Sequence, residues 1–322
     1  MLKFFFRLLP LKIRYAIKAI FKIETKFNNL DLKRLPKNYK SLKGPVYYII
    51  FIENKGHGFF SNFFHILFHT SIADFYNWIP VVDMQNYKTL YNEKKKIRST
   101  YNAWEYFFNQ KTSLSDINLK KDKVIFSDGK FNIKFFNDYY YGNENSFHRI
   151  LNKYIFIKKY ILKDVELFKK KNFKNFKIIG VHWRGTDIVT AKYKKKNLTF
   201  YKFRKKITIK DIANKINPIL KKNKKAKIFL STDEEDYVKQ FTKLYGKKVI
   251  YTNCYRSISG KPIHLSDTYK RKNHRYKMGL EVIQDCLLLS ICDFLIYRKS
   301  NVTNAAKLFN YKKKRKIIEL SY

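Results

Sequence analysis

Three short segments of this chain carry residue types suited to holding an anion. The first is His182-Trp183-Arg184-Gly185-Thr186-Asp187, directly after the apolar run Ile178 to Val181. An arginine there suits a phosphate or carboxylate, because its planar fork makes two parallel charge-assisted hydrogen bonds. The second is Ser231-Thr232-Asp233-Glu234, after Phe229-Leu230. In it, Asp233 can accept hydrogen bonds from a base or a ribose. The third runs from Asp293 through Phe294 to Tyr297 and ends in Arg298-Lys299-Ser300-Asn301. Backbone N–H groups and hydroxyls at such a helix start bind phosphate readily. Each segment taken singly also reads as a strand-to-helix turn whose Thr, Asp or Ser caps the next helix.

The elements around these segments favour a shared site. Strands are expected at 177–182, 227–230, 248–251, 294–297 and 316–320. Helices are expected at 209–221, 234–245, 276–290 and 302–309. Strand alternating with helix of ordinary length indicates a parallel, doubly wound α/β sheet. In such sheets ligands bind outside the carboxyl ends of the strands. Three ligand-competent strand ends in one sheet then converge on one crevice.

The first half is less regular. After a linker at 33–45 with Pro36, Gly44 and Pro45, a strand is expected at 46–52. A loop containing Gly56-His57-Gly58 and Ser61-Asn62 follows, then a helix at 63–76 and a strand at 79–83. A loop and then a helix are expected within 86–110, a strand at 124–126, and one helix over 147–168 linking the halves. The domain reading is an N-terminal helix and linker at 1–40, an acceptor-side domain at 41–170 and a donor domain at 171–322. His65 and His69, one helical turn apart, could form a metal pair, but no acidic third ligand has telling spacing, which favours ordinary histidines. Trp104 and Tyr106 could stack on a sugar, although such aromatics are more often core.

The chain has 322 residues, 45% of them hydrophobic and 18% aromatic, which excludes disorder as the default reading. The net charge of +44 invites a nucleic-acid reading. Most of the excess is Lys, in scattered runs, and Lys, Asn, Ile, Phe and Tyr are all abundant together, as a base-composition bias would make them. Zinc-finger spacing and aromatic RNA-binding signatures are missing from the sequence. Anionic lipid surfaces and phosphorylated substrates remain the fitting partners. The three cysteines, Cys254, Cys286 and Cys292, form no CxxC, and a reducing cytosol fits best. After Pro10, Ile13, Ile17, Ile20 and Phe21 share one helical face, with Lys12, Arg14, Lys18 and Lys22 mostly off it. That pattern suits a helix lying in the interface of a membrane, at its cytoplasmic side, and equally an ordinary docked helix.

The His-x-Arg segment, the Ser-Thr-Asp segment and the span from Asp285 to Asn301 resemble, in order, three motifs of the fucosyltransferase superfamily. This superfamily comprises the α1,2-, α1,6-, nodulation and protein O-fucosyltransferases. The resemblance covers roughly 178–309, with a weaker match in Gly58-x-x-Ser61-Asn62. It implies a GT-B-like architecture of two Rossmann-like domains with the active-site cleft between them, and GDP-fucose as donor. It further implies that Arg184 holds the β-phosphate, with Gly185 and Thr186 in the same loop. By the same resemblance His182 and Asp233 contact guanine or ribose, Ser300 and Asn301 the phosphates, and Gly58 and Asn62 the sugar side. Two departures stand out. The α1,6 and α1,2 enzymes usually show two consecutive arginines where this chain has Arg184-Gly185. The glutamate that some members carry shortly afterwards is replaced by Ala191-Lys192-Tyr193.

The expected activity is therefore transfer of a sugar from a GDP-sugar to a hydroxyl of a glycan or glycolipid. No cofactor is expected, and with no Asp-x-Asp motif no metal is expected either. Glu53, Glu105 and Asp187 are the candidate general bases by position. The rival readings are an inactive homologue that only binds nucleotide sugar, and a basic protein that binds nucleic acid.

Overall fold

A computed structural model describes residues 44–53, 57–127, 129, 144–185, 207–258, 263 and 271–320. The chain divides into two compact units, Met1–Ile157 and Lys158–Tyr322.

In the first unit, strands β1 (Val46–Ile50), β2 (Ile79–Val82) and β4 (Lys123–Phe126) form a parallel sheet in the order β2-β1-β4. Ile49 of β1 lies level with Val81 and Phe126. Helix α1 (Phe59–Phe75) joins β1 to β2 and is buried around most of its circumference. Two histidines fix it to the strand. His65 Nε2 lies 3.0 Å from the Phe51 carbonyl, and His69 Nδ1 lies 2.8 Å from the Tyr48 hydroxyl. Both are buried, so this pair is core rather than ligand. The helix begins earlier than expected, because the Gly58 carbonyl accepts from the amides of Ser61 and Asn62. The expected Gly58–Asn62 loop is thus the first turn of α1.

Two further expectations are corrected here. The 86–110 stretch contains no α-helix but an irregular, partly buried run that reaches the two-residue strand β3 (Phe108–Asn109). Asparagine side chains there take the backbone bonds that a helix would have made. Asn102 accepts from the amides of Met84 and Trp104 and donates to the Val82 carbonyl at 2.7 Å. Asn92 donates to the carbonyls of Met84 and Tyr101. The single helix over 147–168 is two: α2 (Glu144–Tyr154) and α3 (Lys159–Asn172). Between them β5 (Phe156–Ile157) pairs antiparallel with β3. Helix α3 packs within the second unit, where Tyr160 meets Tyr276 and Asp164 accepts from Gln284.

The second unit holds strands β6 (Ile178–His182), β7 (Lys227–Ser231), β8 (Val249–Ile250), β9 (Phe294–Tyr297) and β10 (Lys316–Glu319). They are all parallel, in the order β10-β9-β6-β7-β8. Helices α4 (Ile209–Lys222), α5 (Glu235–Tyr245), α6 (His274–Ser290) and α7 (Asn301–Phe309) alternate with them. The chain starts at the central β6, runs outward through β7 and β8, then returns to β9 on the other side. The topological switch point therefore falls between β6 and β9. Every residue of β6 is buried. Gly180 lets the end of α6 and the turn after it approach, since a Cβ there would come within 2.8 Å of the Cys292 sulfur and 3.2 Å of Leu289. The core beneath combines Ile179, Val181 and Trp183 with Ile212, Leu230 and Phe241.

Candidate functional site

Sheet register brings the three sequence segments together. His182 lies level with Ser231 of β7 and with Tyr297 of β9. The residues that follow these three thus leave the same edge of one sheet, at its switch point. Beyond it, α7 starts with Ser300 as its N-cap, in a capping box with Thr303. The Ser300 hydroxyl accepts from the Thr303 amide at 3.2 Å, and Asn301 is the first helical residue. Ser300 therefore does the capping work that its type suggests, and in doing so fixes the positive end of α7 beside the strand ends.

The loop after β6 is tightly held. Trp183 donates its amide to the Ser231 carbonyl at 3.0 Å, and its ring stacks flat on Tyr237 at 3.7 Å. The Asp233 carboxylate accepts from the Gly185 amide at 2.8 Å, and its other oxygen lies 4.0 Å from Arg184 Nε. Asp233 therefore organises the His-x-Arg-Gly loop. It does not cap α5, whose N-cap is Glu234 and which receives no side-chain cap bond. Thr232 is not that cap either, since its hydroxyl accepts from the Glu234 amide. The Arg184 side chain is 40% exposed.

His182 is almost fully buried and its Nδ1 has no hydrogen-bond partner. Burial pushes its pKa down to about 4, with Arg184 reinforcing the shift and Asp233 opposing it. The imidazole is consequently neutral at physiological pH, able to donate from one nitrogen and accept at the other. Gly185 stands where the resemblance leads one to expect a second arginine. A Cβ at Gly185 would collide with Cγ of Glu234 and lie 2.6 Å from the Tyr237 ring, which Trp183 holds in place. Glycine is thus the residue this packing admits.

No protein-family model matches the chain, and no curated protein matches it. Solved structures do. The chain is similar to the fucosyltransferase NodZ from Bradyrhizobium, at 14% identity and a TM-score of 0.46, over 82% of this chain and 93% of that one. It is similar to POFUT1 in complex with GDP, at 10% identity and a TM-score of 0.49, over 87% and 100% of the two chains. It is similar to a point mutant of Arabidopsis thaliana FUT1 in complex with GDP, at 11% identity and a TM-score of 0.45, over 92% and 77%.

The remaining candidates are placed as follows. Thr186 and Asp187 lie outside the described residues, as does the basic N-terminal segment. Glu53 is exposed just beyond β1. Glu105 is engaged at both oxygens, by Thr100 at 2.6 Å and Gln110 at 2.9 Å. It braces the irregular run, which removes it as a base candidate. Asn62 is 3% exposed, and neither atom of its amide has a partner. It lines a small, largely apolar pocket with Phe59, Phe63, Tyr91, Trp104 and Phe107. Trp104 and Tyr106 are core, Trp104 stacking on Phe108 at 4.0 Å.

Glu234 closes the Ser-Thr-Asp-Glu segment, but the sequence assigns it no role of its own. It is buried against Gly185, and its pKa is pushed up to about 7 by burial and by Asp233 and Asp236. The run of acids 233–236 was its one visible signal. Among the described residues no group of three His, Cys, Asp or Glu could hold a metal ion. No helix among them is long and apolar enough to cross a membrane.

Proposed function

We propose that this protein is a glycosyltransferase that moves fucose from GDP-fucose onto a hydroxyl of a glycan or glycolipid, without a metal ion. The observation that carries the reading is the arginine at the switch point: Arg184, partly exposed and 4.0 Å from Asp233, in a loop that leaves the same sheet edge as the strand before α7. Departure of a nucleoside diphosphate builds negative charge on its β-phosphate. A preorganised guanidinium and a helix N-terminus stabilise that charge more in the transition state than in the ground state. The neutral, buried His182 reads polar atoms of the nucleoside by hydrogen bonding. The donor's identity as GDP-fucose rests on the ordered motif resemblance. Glu53 and Asp187 remain the proposed bases for the acceptor hydroxyl. Attachment to an anionic membrane surface through the basic N-terminal segment, on the cytoplasmic side, belongs to the same proposal.

Arg184→Lys tests it. Lysine keeps the charge and loses the two-pronged geometry. Fucosyl transfer is expected to fall by roughly tenfold or more, with the melting temperature little changed because the side chain is 40% exposed and lysine keeps its charge. Near wild-type turnover in the variant would remove Arg184 from the chemistry.

A further inference from the structure

We infer that Arg256 is a positioning residue for the anion-binding loop, acting on Arg184 and Gly185 through Asp233. Where it concerns nucleotide binding, this rests on the function proposed above.

Arg256 lies in the connection between β8 and α6, a segment that no motif pointed to. Its side chain is only 4% exposed. Two of its nitrogens donate to main-chain carbonyls, to Thr252 at 2.7 Å and to Cys254 at 3.4 Å. The guanidinium also lies over the Tyr251 ring, and is 4.0 Å from the Glu235 carboxylate. It thereby folds residues 251–256 back on themselves.

The next residue makes the connection to the site. Ser257 donates its amide to the Asp233 carbonyl at 2.8 Å and accepts from the Glu235 amide at 3.0 Å. The main chain on both sides of Glu234 is thus clamped to the loop that Arg256 shapes. Asp233, held there, places its carboxylate on the Gly185 amide and toward Arg184. The path from guanidinium to anion site is continuous: Arg256, the 252–257 loop, Asp233, then Gly185 and Arg184.

Stability alone explains this arrangement poorly. A buried guanidinium is expensive unless every donor is matched, and a well-packed apolar side chain often serves stability better. Among the described residues Nε has no partner, and the nearest acid is at the 4.0 Å limit of an ion pair. Arg256 contributes two directed bonds to carbonyls, which an apolar residue cannot supply.

The test is a double-mutant cycle on the full-length protein, with GDP as the probe. Arg256→Met is the first variant. Arg256→Lys, which keeps the charge and cannot span both carbonyls, is the second should the first fail to fold. Each is made alone and with Asp233→Ala. GDP affinity is measured by calorimetry and amide exchange at Gly185 by mass spectrometry. Beside wild-type Asp233, either Arg256 variant is expected to weaken GDP roughly tenfold and to speed Gly185 exchange. In the Asp233→Ala background it should add little to either. A purely structural role would lower the melting temperature alone. Equal losses in both backgrounds, or an unchanged Gly185 amide, would overturn the inference. Failure of the wild-type chain to bind GDP would instead sink the functional reading. Gly185 exchange would then decide the role of Arg256 by itself, faster exchange upholding the relay and unchanged exchange ending it.

Discussion

Glu234 and His182 sit within one loop's reach of each other and carry opposite pH signatures. Glu234 has its carboxyl raised from 4.5 to about 7. Between those values the folded chain keeps a proton that the unfolded chain has lost, so stability falls as pH rises through the window. His182 has its imidazole lowered from 6.5 to about 4. Between those values the unfolded chain holds the extra proton, so stability rises with pH. The two trends offset one another in mildly acidic solution, and above pH 6.5 the carboxylate acts alone. Glu234→Gln should therefore raise the melting temperature at pH 8 and leave it nearly unchanged at pH 5. Melting curves at the two pH values check this, and an equal shift at both would show that Glu234 is not carrying a buried charge. At this scale the sequence was readable where chemistry is local. The types His, Arg and Asp were enough to suggest an anion site. That Asp233 serves the Gly185 amide was not readable, because the partners are 48 positions apart and only strand pairing joins them.

Elements were readable where periodicity was strong. The five strands and four helices expected in the second unit all form, with ends shifted by a residue or two. The first unit was harder, for physical reasons. A loop and then a helix are expected within 86–110, yet Asn92 and Asn102 satisfy the backbone by side chain and hold it irregular. Two helices read as one because β5 is only two residues long, and its β-branched signal is lost between helical faces. Asn102 offers the test. Replacing it by Ala strands the buried amides of Met84 and Trp104 and removes the shorter of two bonds to the Val82 carbonyl, which Gln110 also reaches at 3.3 Å. A loss of about 3 kcal/mol is expected, read as a lower urea midpoint with an unchanged slope. A loss under about 0.5 kcal/mol would mean that the stretch is held by its aromatic packing instead.

For the whole molecule, the net charge of +44 is the loudest number in the sequence and the least specific. It attracts anions of every kind and points to no single site. On the proposed function, specificity comes from the strand ends of the second unit, where the partly exposed Arg184, the neutral His182 and the start of α7 follow one sheet edge. The most direct measurement is a thermal-shift panel of GDP, UDP, CDP and their sugars on the wild-type chain and on Arg184→Lys. A ligand at a hundred times its dissociation constant stabilises the native state by about 2.7 kcal/mol, a rise of several degrees. GDP and GDP-fucose should raise the wild-type melting temperature by that amount, UDP and CDP should not, and the Lys variant should lose the rise. Equal shifts with all three nucleotides, no shift with any, or an undiminished GDP response in Arg184→Lys would contradict the account.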